Sequence, residues 1–221
     1  MGTLLKISVF IIITCVIIAG FALPIPYIPA LGDKARIIYF HVPMSWIAVL
    51  AFLVSMVNSI QYLRKREIQN DVKAFSAAEI GFVFCILATV TGSLWAKFNW
   101  GSFWNWDPRE TSIFILLLIY GAYFSLRSAI ENPDQKAKLS SVYSIIAFVT
   151  VPFFIFIMPR IVESLHPADS IVDKQGKITM NPLMLTIFLS SLVGFTLLFI
   201  WIYSIKTRIE IVNLKLKETN Q

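Results

Sequence analysis

Long apolar runs alternate with short polar connections along the 221 residues of the chain. A membrane-crossing helix needs about 20 mainly apolar residues. Six runs qualify: 5–23, 42–63, 74–96, 110–127, 141–158 and 182–205. The fourth and fifth are the shortest, and the fifth stops at Pro159. No internal repeat, low-complexity stretch or soluble domain interrupts them. The pattern predicts an all-α polytopic membrane protein, a single six-helix domain over 1–221. The first run passes into Pro24-Ile25-Pro26 without an Ala-x-Ala-like site, so it is expected to be a retained span and not a cleaved signal peptide.

Composition sharpens this picture. Hydrophobic residues make up 57% and charged residues 14%, too little charge to cover a soluble domain of this length. The net charge of +6 does not indicate a nucleic-acid partner, because the basic residues flank the spans. Twelve lie on one side: Lys6, Arg64, Lys65, Arg66, Lys73, Arg127, Lys136, Lys138, Lys206, Arg208, Lys215 and Lys217. Seven lie on the other: Lys34, Arg36, Lys97, Arg109, Arg160, Lys174 and Lys177. The positive-inside rule then predicts both termini in the cytoplasm, with the connection 97–109 outside. The basic tail reads as topology-setting in preference to partner-binding. Cys15 and Cys85 are isolated inside spans and fit neither a disulfide framework nor a zinc site.

Residues 95–111 carry the strongest chemical signal. Trp95, Trp100, Trp104 and Trp106, four of the six tryptophans, fall here between two apolar runs. Interfacial aromatic belts are spread over many helix ends, whereas one connection takes most of the supply in this chain. At its end Asp107 can cap a helix, Pro108 suits the first helical position, and Glu110 completes a capping box. The rings are therefore expected in a fixed array on an anchored loop, a platform for something large, flat and apolar.

The chain has two histidines, His41 before span two and His166 after span five, both expected on the side of that loop. Imidazole is the usual protein axial ligand of haem. A histidine from each connection, with aromatic surface between, could hold one planar macrocycle from both faces. Each alone also reads as an ordinary interfacial histidine. A closed zinc site would need further ligands. The chain has no Cys-x-x-Cys-His, so it is not expected to attach haem covalently in the usual way; the expected cofactor is haem b, held non-covalently and in transit. Arg36, Lys97, Arg109 and Arg160 are candidates for its propionates, since a guanidinium fork suits a carboxylate.

The run Trp100-Gly101-Ser102-Phe103-Trp104-Asn105-Trp106-Asp107, with Phe-His-Val-Pro before span two and Leu-His-Pro in the later loop, resembles the haem exporter protein C family of cytochrome c maturation, CcmC. The likeness runs from Arg36 to span six. It implies haem bound at the outer face of a bacterial inner membrane, with the site facing the periplasm. It implies His41 and His166 as axial ligands to the iron, and Trp100, Gly101, Trp104, Trp106 and Asp107 as the platform. It also implies partnership with ATP-binding cassette transporter subunits and delivery to a periplasmic haem chaperone. The continuation Trp-Asp-Pro-Arg-Glu-Thr departs toward the cytochrome c synthase subunit CcsA, a longer relative with two further histidines inside the membrane that this chain lacks.

Three functions follow for comparison. The first is a haem-binding and hand-over component without catalytic turnover. The second is a subunit of a CcsA-type haem ligase. The third is a permease for another substrate, which usually keeps charged or broken-helix features near the bilayer midplane; Glu79 is the one clear acidic residue in a predicted span. An intramembrane electron carrier would want histidines facing each other across the bundle. No P-loop, catalytic triad or metalloprotease motif is present.

Overall fold

The computed structural model describes residues 2–28, 31–166 and 178–219. Lys174 and Lys177, counted above on the outer side, lie outside the described residues. Among the described residues, six helical stretches are long and apolar enough to cross a membrane. They are α1 (Thr3–Ala22), α2 (Ile38–Lys65), α3 (Ile68–Trp100), α4 (Pro108–Ala129), α5 (Pro133–Pro152) with its continuation, and α7 (Pro182–Thr219).

Local chemistry sets where these helices begin and end. A 3-10 turn, Gly32–Ile37, feeds directly into α2. Pro108 and Pro133 occupy first-turn positions, where the missing N–H costs nothing. Asn132 caps α5 by accepting from the Gln135 N–H at 3.0 Å. Gly101, at φ 84°, closes α3 with its N–H on the Lys97 carbonyl.

Two boundaries differ from the hydropathy reading. Helix α3 continues through Lys97 and Asn99 to Trp100, so only 101–107 of the 97–109 connection is non-helical. Polar residues ended the apolar run, yet Ala, Lys and Phe are compatible with continued helix. The fifth span does not stop at Pro159. Pro152 removes a helical donor, a π turn follows at Phe153–Ile157, and a short helix α6 (Met158–Ile161) carries the chain on.

Helices α2 and α3 form the centre of the bundle. Small buried residues (Ala48 and Ala51 on α2; Ala74, Ala77, Ala78 and Ala88 on α3) let the backbones approach, as membrane helix pairs generally require. Phe52 of α2 stacks on Tyr120 of α4 with ring centroids 3.5 Å apart. The Ser55 and Ser144 hydroxyls join α2 to α5 at 3.0 Å. Trp46 Nε1 donates to Thr196 Oγ1, tying α2 to α7.

Charge pairs fasten the end of the bundle that carries Lys65 and Arg127. Arg127 makes a two-pronged contact with Asp71, Nη1–Oδ1 2.7 Å and Nη2–Oδ2 2.5 Å, over the Phe75 ring. Glu79 pairs with Lys206 at 2.9 Å. Asp71 is almost wholly buried, so removing its partner strands a charge. Arg127→Ala should lower stability by about 3–5 kcal/mol, and Asp71→Ala/Arg127→Ala should recover much of it. Thermal unfolding in detergent measures both; equal losses in the single and double variants would contradict the pairing.

Candidate functional site

Three connections meet at the opposite end of the bundle. Lys34 Nζ donates to the Phe98 carbonyl at 2.7 Å, and Trp95 Nε1 returns a bond to the Lys34 carbonyl at 3.1 Å. The segment before α2 is thus pinned to the end of α3. The segment after α6 is pinned to the start of α4 by Asp107, whose side chain is fully buried.

Asp107 performs several tasks with two oxygens. Oδ1 accepts from the Arg109 N–H at 2.9 Å and bonds His166 Nδ1 at 2.9 Å. Oδ2 accepts from the Leu165 N–H at 2.6 Å and from the Ser164 hydroxyl at 2.9 Å. Glu110 Oε2 reaches back to the Asn105 N–H at 2.7 Å and the Asp107 N–H at 3.4 Å, completing the expected capping box. Burial works against charge on Asp107, but these donors and the His166 ring together hold its carboxyl below the ordinary value. A carboxylate only accepts, so His166 Nδ1 carries the proton and Nε2 keeps its lone pair. Burial and the Arg109 charge hold the imidazole below its usual value against the pull of Asp107 and Glu110, favouring the neutral ring. Neutral imidazole is the ligand form.

His41 does not precede its helix; it lies in the first turn of α2, half-buried. Its Nδ1 is 3.0 Å from Thr91 Oγ1 on α3. Both histidines therefore bond through Nδ1, and Nε2 is the nitrogen that neither bond uses. His166 packs on the same helix: its ring stacks on Trp95 at 5.8 Å and meets the edge of Trp100 at 4.9 Å. Thr91 and Trp95 are one helical turn apart, about 6 Å of rise. The two imidazoles are thus arranged along one face of α3.

The tryptophans do not form the single array expected from their clustering. Trp95 and Trp100 pack edge to face and hold His166. Trp104 and Trp106 pack with each other and with Phe114 of α4. Extension of α3 through Trp100 separates the two groups. Trp106 has φ 55°, in the left-handed region disfavoured for bulky side chains, and its ring is 73% exposed. Such strain is characteristic of functional positions.

The cationic candidates separate too. The Arg36 guanidinium is engaged elsewhere: Nη1 donates to the Gly20 and Leu23 carbonyls at 2.8 Å, while Nε and Nη2 pair with Asp33. Lys97 donates to the Gly101 carbonyl. Arg109 and Arg160 are exposed; Arg109 is near enough to feel the Arg160 charge and itself acts on His166. Arg160 Nη1 bonds the Phe156 carbonyl. Two adjacent guanidinium groups suit an anionic ligand.

The contributions of Thr91 and Ser164 were not evident from sequence reasoning, which placed Trp95 in the aromatic array without pairing it with His166. Thr91 meets its partner across 50 positions of chain, and the Thr-x-x-x-Trp spacing on one helix face was the one available signal. If Asp107 is the common anchor, Asp107→Ala should release the Leu165 amide and the His166 ring together, with about 0.5–2 kcal/mol lost from the cap. Hydrogen exchange at Leu165 measures this; unchanged protection would contradict the anchor.

A family model described as "Heme exporter protein C" matches residues 1–221. The heme exporter protein C of Rhodobacter capsulatus is 34% identical over 200 residues, 89% of this chain and 81% of its own. That of Paracoccus denitrificans is 34% identical over 196 residues, 87% of this chain and 78% of its own. A ccmC-like mitochondrial protein of cytochrome c biosynthesis from Marchantia polymorpha is 33% identical over 125 residues, 57% of this chain and 52% of its own. With the whole chain matched, and with a histidine pair and a tryptophan-rich connection gathered at one end of six spanning helices, the protein belongs to the heme exporter protein C family.

Proposed function

We propose that this protein handles haem for c-type cytochrome maturation, binding it non-covalently as haem b between His41 Nε2 and His166 Nε2. The observation that carries the reading is the shared use of Nδ1: one ring is held by a hydroxyl and the other by a carboxylate, leaving the same ligand atom on both. The porphyrin supplies the equatorial nitrogens, so two protein donors complete the iron. Among the described residues no group of three or more His, Cys, Asp and Glu is placed to hold a bare metal ion.

The remaining residues take supporting roles. Trp100 and Trp104 with Gly101 border the macrocycle, and the exposed Trp106 ring offers apolar surface to its edge. Arg109 and Arg160 receive propionates. Arg36 could do so only by giving up two carbonyl bonds. Asp107 acts through His166. In this reading the protein is a binding and transfer component, a role supported by the two Nδ1-anchored histidines. Its partners are ATP-binding cassette transporter subunits, which supply energy, and a periplasmic haem chaperone. A ligase subunit of CcsA type is the second reading, favoured by Pro108 and Glu110 after the signature Asp107.

Orientation follows from charge. The Lys and Arg excess at the end with the Arg64 and Lys136 turns supports cytoplasmic termini and a haem site at the periplasmic face of a bacterial inner membrane. A cysteine introduced at Ser102 should react with impermeant reagent from the periplasm; labelling from the cytoplasm alone would invert the assignment.

The purified protein should show a haem absorption band that changes in both His41→Ala and His166→Ala, because axial ligands set spectrum and potential. Added imidazole should partly restore each single variant, and the double variant should lose haem. Trp104→Ala should weaken binding by about 0.5–1.5 kcal/mol beyond lost area, more than Trp201→Ala. An unchanged spectrum in either histidine variant would remove that residue from the iron.

A further inference from the structure

We propose that Thr91 and Gly92 are the positioning residues of His41, one setting its tautomer and the other making room for its ring. The inference rests on the haem reading above for its purpose, but its geometry stands on the chain alone. A threonine hydroxyl has one proton. The Thr91 oxygen lies 2.7 Å from the Leu87 carbonyl and 3.2 Å from the Ala88 carbonyl back along α3, with the Met44 sulfur of α2 at 4.0 Å. A thioether is a weak acceptor beside a carbonyl at 2.7 Å, so the proton is spent within the helix. The bond to His41, at 3.0 Å, is then one in which His41 Nδ1–H donates and Thr91 Oγ1 accepts. The neutral ring has one N–H, so Nε2 carries the lone pair.

Gly92 fixes where that ring can lie. A Cβ at this position would stand 2.9 Å from His41 Cε1, 3.6 Å from Nδ1 and 3.7 Å from Nε2. Carbon atoms do not approach so closely, so any larger residue pushes the imidazole out of place. The backbone of α3 at Gly92 is not in a left-handed conformation; it is the approach of the ring that excludes a side chain. One residue supplies the acceptor and the next supplies the space, both on the helix whose Trp95 supports His166. Metal-bound histidines commonly owe tautomer and orientation to such a partner, and its loss reduces affinity by about 10–100-fold.

The chain has two histidines, so His166→Gln leaves His41 as the sole imidazole. In that background, nitrogen-15 NMR of histidine-labelled, haem-free protein should show Nδ1 protonated and Nε2 bare. Thr91→Val, equal in shape but without the hydroxyl, should lose the preference, and Thr91→Ser should restore it. In the otherwise natural chain, Thr91→Val should lower ferric haem affinity about tenfold or more and move the reduction potential, with Thr91→Ser near wild type. Gly92→Ala should lower affinity likewise while unfolding no earlier, since Ala favours helix over Gly. Retention of both tautomer and affinity in Thr91→Val would overturn the proposal, as would normal affinity in Gly92→Ala. If the natural protein binds no haem, the functional reading fails, and the tautomer measurement alone decides the role of Thr91.

Discussion

The buried Asp107 carboxylate is the constraint on which the rest of the site depends. A carboxylate without bulk water must find donors for its lone pairs, and four different groups converge on it: the Arg109 and Leu165 amides, the Ser164 hydroxyl and the His166 ring. Three of these are more than 55 residues away in sequence. Satisfying one buried charge therefore starts α4, closes the segment after α6 and sets the proton on an imidazole. The capping box of Glu110 orders the approach to it.

The bundle beneath supplies rigidity in the plainer currency of close packing. Small residues bring α2 and α3 together, and this contact places Thr91 and Gly92 against His41. At the other end, the Arg127–Asp71 and Lys206–Glu79 pairs tie α4 and α7 to α3. Helix α3 thus connects everything: charge pairs on its first turns, the α2 seam along its middle, and both imidazoles along its last turns. A rigid helix carrying two ligand supports is how a binding site holds its geometry before its ligand arrives.

The six spans were legible because lipid demands long apolar runs, and the start of α4 because Asp-Pro-x-Glu is a local cap signal. The pair of histidines was legible from scarcity: two in the chain, both at the same end. What the sequence concealed has a common cause, which is that it depended on partners far along the chain. Asp107 read as a helix cap and part of a platform, while its bonds to Ser164 and His166 needed the fold. Thr91 looked like one more small polar residue in a span. Arg36 matched a propionate ligand by position, but the carbonyls ending α1 occupy it. The tryptophans seemed one array because Lys97 and Asn99 break the apolar pattern; the helix ignores that break and divides them.

The account stands on one coordination geometry: a single iron held by Nε2 of His41 and Nε2 of His166. Electron paramagnetic resonance of the ferric haem-loaded protein, with near-infrared magnetic circular dichroism on the same sample, reads the axial ligand pair directly. The account predicts a low-spin iron with two imidazole ligands. A high-spin iron, or a low-spin iron with any ligand other than a second histidine, would contradict it.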